Sequence, residues 1–197
     1  AMTVLLAIGG STNGIVHLTA IAGRVGIKID LEELDRMGRD TPVLVDLKPA
    51  GQHYMEHFHE AGGMPRLLKE VAAHLHLEAP TVAGQTLADV VSMAEDVPGQ
   101  TVIRPIDAPL KATGAIAVLH GNLAPRAAVI KHAAASSSLL QHTGRAVVFD
   151  SVEDMARRID TDDLDVVADD VLVLRNAGPK GAPGMPEAGY LPIPRKL

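Results

Sequence analysis

The hydrophobic pattern changes period near residue 98, and this constrains the fold more than any other feature of the 197-residue chain. Up to about residue 95 the apolar positions mostly recur at helical spacing. Ile15, Leu18, Ala22 and Val25 form one such face, in steps of three and four. Ser11 or Thr12 is placed to cap that helix and Gly26 to end it. Asp30, with Glu33 three residues on, reads as a capping box for a second helix running to about Gly38. Residues 52–61 read as helix up to Gly62 and Gly63. Pro65 suits the first turn of the next helix, which Leu67, Leu68, Val71 and Leu75 continue. Thr86 caps a last helix ending near Glu95. Two stretches depart from this spacing. Residues 2–8 and 42–47 are short and apolar on both faces. The first reads as a buried strand or short buried segment, the second as a short buried strand leading into a turn at 48–51. After Pro98 the segments TVIRPI, GAIAVLHGNLAP, AAVIK, RAVVFD and DVLVLRN are short, rich in Val, Ile and Ala, and broken by Gly and Pro. These read as strands, with one helix opened by Ser151 whose apolar side is Met155, Ala156 and Ile159. The chain is therefore predicted to be mixed α/β (α+β). A boundary near 96–100 separates a helical part, 1–97, from a β-rich part, 98–197.

Composition narrows the function classes. The chain has only two Tyr and two Phe, so its core must be aliphatic. The net charge of −6 argues against a nucleic-acid partner, which calls for a basic stripe and stacking aromatics. No apolar run approaches the roughly 18 residues of a membrane span, and no signal-peptide pattern is visible, so a cytoplasmic location is expected. There is no cysteine, which excludes disulfides and any cysteine-ligated cluster held by this chain alone.

Three places carry candidate chemistry. GGSTN at 9–13 combines glycines, which let a backbone approach a ligand, with the start of a helix that offers free N–H groups to a carboxylate or phosphate. The bland alternative is a well-capped strand–helix turn. His53, Glu56 and His57 form H-x-x-E-H, which on a helix puts two imidazoles on one face beside a carboxylate base. That is the pattern of a zinc hydrolase, weighed against a polar face in a chain with nine histidines. The loop GPKGAPGMPE at 178–187 is stiffened by Gly and Pro. Its Glu187 suits a hard cation such as Mg²⁺, and Lys180 suits a substrate anion. The carboxylates between Asp160 and Asp170 lack the spacing of a calcium loop and read as a solvated face.

Several segments taken in order resemble one family. They are GGSTN and HLTAIA (9–13, 17–22), PVLVDLKPAG (42–51), YMEHFHEAGGMP (54–65), GAIAVLHGNLAP (114–125), AVIK (128–131), VFDSVEDM (148–155) and RNAGPKGAPGMPEAGYLPIP (175–194). Together they resemble the dihydroxy-acid and phosphogluconate dehydratases, and most closely the sugar-acid (aldonate) branch. The resemblance implies a fragment. Residues 1–97 would be the end of a large N-terminal α/β domain, and 98–197 most of a swivelling β/β/α barrel-like domain. It implies a hydro-lyase that turns a sugar acid or 2,3-dihydroxy acid into a 2-keto acid with an iron–sulfur cluster and Mg²⁺. The cluster cysteines would lie upstream, the catalytic serine beyond Leu197, and this piece alone would be inactive. Glu187 matches a family Mg²⁺ ligand, and Ser11, Thr12 and Asn13 match a motif assigned here to substrate binding. The family has Asp where this chain has His57, which makes His53 and His57 incidental. A homo-oligomer acting on a small sugar acid is implied. A zinc hydrolase and a non-catalytic binding module are the competing classes.

Overall fold

A computed structural model describes residues 1–177 and 190–197 and shows two compact units, Ala1–Ala135 and Ser136–Leu197. Glu187 and Lys180, with the rest of the loop expected at 178–187, lie outside the described residues.

The first unit is organised round residues 41–45, all of which are buried. Their backbone is extended and its polar groups are taken from several directions. Leu44 N–H donates to Ala7 O at 2.8 Å, and Leu44 O accepts from Arg104 N–H at 2.7 Å. Val43 N–H donates to Lys111 O at 3.0 Å, and Asp46 N–H to Val102 O at 2.9 Å. The result is a pair of isolated bridges, Val43 to Lys111 and Val45 to Ile103, in place of a continuous ladder. Val43 packs with Leu6, Ile15, Leu34, Ala115 and Ile116. Leu44 and Val45 pack with Ala7, Phe58, Leu67, Val71 and Ile103. The single extended segment thus joins two aliphatic clusters.

Six helices surround it: α1 Met2–Ala7, α2 Asn13–Arg24, α3 Leu31–Asp40, α4 Met55–Glu60, α5 Gly63–Glu70 and α6 Leu87–Ser92. Of the two readings of residues 2–8, a buried strand or a short buried segment, the strand is corrected: the segment is α1, with Thr3, Leu6 and Ala7 buried. A seven-residue run is too short to reveal a period, and its ending decides the matter. Gly9, at φ +66°, lets Gly9 N–H reach Leu6 O and Gly10 N–H reach Leu5 O, which closes a Schellman cap on α1. α2 ends in the same way. Gly26, at φ +76°, sends its N–H to Gly23 O while Ile27 N–H goes to Ala22 O. Asp30 caps α3 by accepting Glu32 N–H at 3.0 Å. Thr86 and Asp89 form a reciprocal capping box on α6. α2 is unusual. Only Ile15 of it is buried, and Ile21, Val25 and the following Ile27 are each more than 60% exposed.

A short antiparallel pair, β1 Ala117–Leu119 and β2 Ala128–Ile130, completes this unit. It is fastened to α3 by one carboxylate. Asp35 accepts Val118 N–H at 2.9 Å on one oxygen and the Arg39 guanidinium at 2.6 Å on the other. These contacts, the backbone N–H first, hold the Asp35 carboxyl below the usual carboxylate range.

The second unit is a β–α–β arrangement. β3 Ala146–Phe149 runs parallel to β4 Val171–Leu174, and α7 Val152–Arg158 lies between them in sequence. Ser151 caps α7 by accepting Asp154 N–H at 3.1 Å. Val147, Phe149, Met155, Ile159, Leu164 and Val166 form the core, while Ala156, expected on the apolar side, is exposed. Arg145 ties the starts of the two strands together. Its guanidinium clasps Asp170 through Nε at 3.2 Å and Nη2 at 2.8 Å, and also pairs with Asp165. Part of the acidic stretch read as a solvated face is therefore an ion-pair clamp between the starts of the two strands, with the Asp170 side chain only 4% exposed.

The Asp35 contacts have a pH consequence. A depressed folded-state pKa gives stability that is fully present above the unfolded value of about 3.9 and is lost as pH falls through the folded value. Urea titrations of the wild type and Asp35→Asn at pH 7 and near pH 3 are expected to show a smaller acid loss of stability in the variant.

Candidate functional site

A cavity of about 220 Å³ in the first unit lies beside the turn between α1 and α2. Its walls are largely aliphatic, with Ile8, Val43, Val45 and Leu110. Gly9 and Gly51 contribute bare backbone, and Asp46 and Lys111 bring the charges.

Each polar wall has a local cause. The turn at 48–51 brings Gly51 against the strand it follows, and Gly51 N–H donates to Leu47 O at 2.8 Å. Asp46 Oδ1 then accepts Gln52 N–H at 3.0 Å, and its Oδ2 is 3.5 Å from His53 Nε2. Lys111 donates to Ala133 O at 3.1 Å. From the end of β2, Lys131 reaches across the fold to donate to Gly9 O at 2.6 Å. Burial holds the Lys131 ammonium below the usual lysine range.

GGSTN divides into two jobs. Gly9 and Gly10 terminate α1, and Ser11, Thr12 and Asn13 start α2. The turn is therefore helix to helix, not strand to helix. Ser11 Oγ accepts Asn13 N–H at 3.2 Å, and Thr12 occupies the cap position without a side-chain cap bond. Ile8 and Gly9, one turn earlier, line the cavity, while Ser11, Thr12 and Asn13 do not.

The H-x-x-E-H segment lies at the start of α4. His57 Nδ1 accepts Tyr54 N–H at 3.0 Å, so this imidazole serves as the N-terminal partner of the helix. The His53 and His57 rings meet edge to face with centroids 5.4 Å apart. Among the described residues no three His, Asp or Glu side chains gather in a way that suits a metal ion. Lys111 and Lys131 were not singled out by the sequence. AVIK ends in a lysine, but only the folded chain shows it meeting a turn 122 positions away.

Two family profiles match the chain. Residues 1–90 match "Dihydroxy-acid/6-phosphogluconate dehydratase N-terminal", and residues 101–197 match the corresponding C-terminal profile. The chain is 49% identical to the L-arabinonate dehydratase of Rhizobium leguminosarum bv. trifolii, over 97% of this chain and 33% of that relative. It is 46% identical to the 6-deoxy-6-sulfo-D-gluconate dehydratase of Pseudomonas putida, over 100% of this chain and 34% of the relative. It is 44% identical to the dihydroxy-acid dehydratase of Polaromonas naphthalenivorans, over 95% and 33%. The chain spans about a third of the length of the curated relatives it matches. Among the described residues no helix is long and apolar enough to cross a membrane. The cavity draws Gly9, Asp46 and Gly51 from the N-terminal match and Leu110, Lys111 and Ala133 from the C-terminal one, all within the first unit.

The closeness of Gly51 to its neighbours gives a test of this wall. A Cβ there would stand 2.7 Å from Leu47 N and would also strike the Asp46 carboxylate. Gly51→Ala is expected to cost about 1–3 kcal/mol in urea denaturation, the usual penalty for overpacking.

Proposed function

Since this chain belongs to the dihydroxy-acid/6-phosphogluconate dehydratase family, we propose that it is a portion of a hydro-lyase that dehydrates a sugar acid or 2,3-dihydroxy acid to a 2-keto acid. The observation that carries this reading is the ordered match of both family halves along one short chain. The greater identity to the L-arabinonate dehydratase than to the dihydroxy-acid dehydratase favours a sugar acid as substrate. In such a reaction a base takes the C2 proton, hydroxide leaves C3, and the resulting enol tautomerises to the keto acid.

The cofactors in this proposal are an iron–sulfur cluster, which would polarise the leaving hydroxyl, and Mg²⁺, which would orient the carboxylate. The residues present do not supply the cluster, because the chain has no cysteine. Its ligands, and the serine base, are assigned to polypeptide outside this chain. Glu187 remains the proposed Mg²⁺ ligand. Ser11, Thr12 and Asn13 remain proposed substrate contacts through the start of α2. Residues 1–97 are assigned to the N-terminal domain and 98–197 to the swivelling barrel-like domain. The profile limits at 90 and 101 support that division. A cytoplasmic location belongs to the same proposal.

The full-length polypeptide carrying this chain, supplied with iron, sulfide and Mg²⁺, is expected to form 2-keto acid from L-arabinonate, read as the semicarbazone. This chain alone, treated identically, is expected to form none. Keto acid from the isolated chain would overturn the assignment of the machinery, and none from the full-length protein would overturn the reaction.

The parent is proposed to be a homo-oligomer, and the isolated chain to self-associate. A helix that is apolar on most sides belongs in an interior, yet α2 exposes Ile21, and Val25 just after it is exposed too. Light scattering after gel filtration is expected to give a mass that rises with concentration. A strictly monomeric species would count against self-association.

A further inference from the structure

A second concavity of the first unit, with a volume of about 510 Å³, is an open groove walled almost wholly by aliphatic side chains. Val4 and Leu5 of α1, Leu18 of α2, Leu68 of α5 and Leu87 of α6 line it. His17 brings the one polar side chain among the described residues that line it. α2 carries the same surface outward. Gly14 and Leu18 line the groove, and Ile21 and Val25 follow on the same helical face in steps of three and four. Both are more than 60% exposed. An apolar groove continued by an apolar helix face gains stability from whatever covers it.

The surroundings of Ala1 identify the cover. Ala1 itself lines the groove. The first internal bond of α1 runs from Leu5 N–H to Ala1 O at 3.0 Å, and no side chain caps the N–H groups ahead of it. Those donors are the ones a preceding stretch of backbone can satisfy. Burial also holds the Ala1 α-amino group below its usual range, because a cation is disfavoured beside these aliphatic walls. A peptide bond in place of that amine carries no charge.

We propose that the groove seats the polypeptide segment directly preceding Ala1 in the parent protein, an aliphatic stretch that lies against α1 and the Gly14–Leu18–Ile21–Val25 face of α2. This rests on the reading of the chain as a portion of a longer dehydratase, since it spans about a third of its relatives. A segment joined to Ala1 starts one covalent bond from the groove wall. It therefore docks intramolecularly, at a high effective concentration that a separate partner lacks.

The test is photocrosslinking in the full-length polypeptide. The photoreactive residue p-benzoylphenylalanine replaces His17, which is exposed and lines the groove, or, in a second variant, Met64 on α5, which is 41% exposed and lines it too. Isotopically light and heavy protein are mixed, and the crosslinked peptides are sequenced by mass spectrometry. Both variants are expected to crosslink to residues ahead of Ala1 within the same polypeptide. Crosslinks joining light to heavy protein would assign the groove to a second copy, and crosslinks to residues after Leu197 would assign it to the other flank. Crosslinks confined to residues 1–197, or none, would leave it uncovered. Each of these three results overturns the docking. If the His17 variant is unfolded by circular dichroism, the Met64 variant decides. Dehydration of L-arabinonate is assayed separately on the unsubstituted protein. Crosslinks ahead of Ala1 in a polypeptide that forms no 2-keto acid support the docking and overturn the reaction. An active polypeptide without them keeps the reaction and overturns the docking.

Discussion

The first unit depends on the burial of one extended segment, residues 41–45. Such a segment has backbone donors and acceptors on both sides and no water to satisfy them, so each must find a partner in the fold. The partners come from three places in sequence: Ala7 at the end of α1, Val102 and Arg104, and Leu110 and Lys111. Fixing them fixes where α1 ends, where the chain after residue 100 runs, and hence the walls of the cavity. Leu44 is fully buried, and losing such a side chain typically costs about 2–5 kcal/mol, a large part of the stability of a small unit.

Much of this architecture is legible in the sequence where the cause is local. The caps by Asp30, Thr86 and Ser151, the stops at Gly26 and Gly62, and the strand–helix–strand order of 146–174 depend on neighbouring residues and can be read from them. Legibility fails where the cause is distant. Residues 2–8 have no readable period, and only the pair of hydrogen bonds through Gly9 and Gly10 makes them a helix. The acidic stretch looks solvated until Arg145 is seen to clasp Asp165 and Asp170. The same limit applies to the site. GGSTN was visible as a turn with a helix start. The lysine that holds its first carbonyl was not, because no short-range pattern links residue 9 to residue 131.

The cavity brings together parts of both family halves inside one compact unit. Leu110, Lys111 and Ala133 come from the C-terminal match, and the turn and the Asp46 corner from the N-terminal match. The boundary seen by family comparison and the boundary seen by packing therefore answer different questions. One follows inherited segments, and the other follows where the aliphatic clusters close.

The parallel pair of the second unit has a further implication. Among the described residues β3 and β4 pair only with each other, so each turns an outer row of peptide groups away from its mate. One of these, Val148 O, is taken by the Arg158 guanidinium. Outward groups of this kind can template a further strand. A further strand laid along β4 would take its alignment from a pair of strands whose starts are tied by the half-buried Arg145–Asp170 contact, without itself touching that contact.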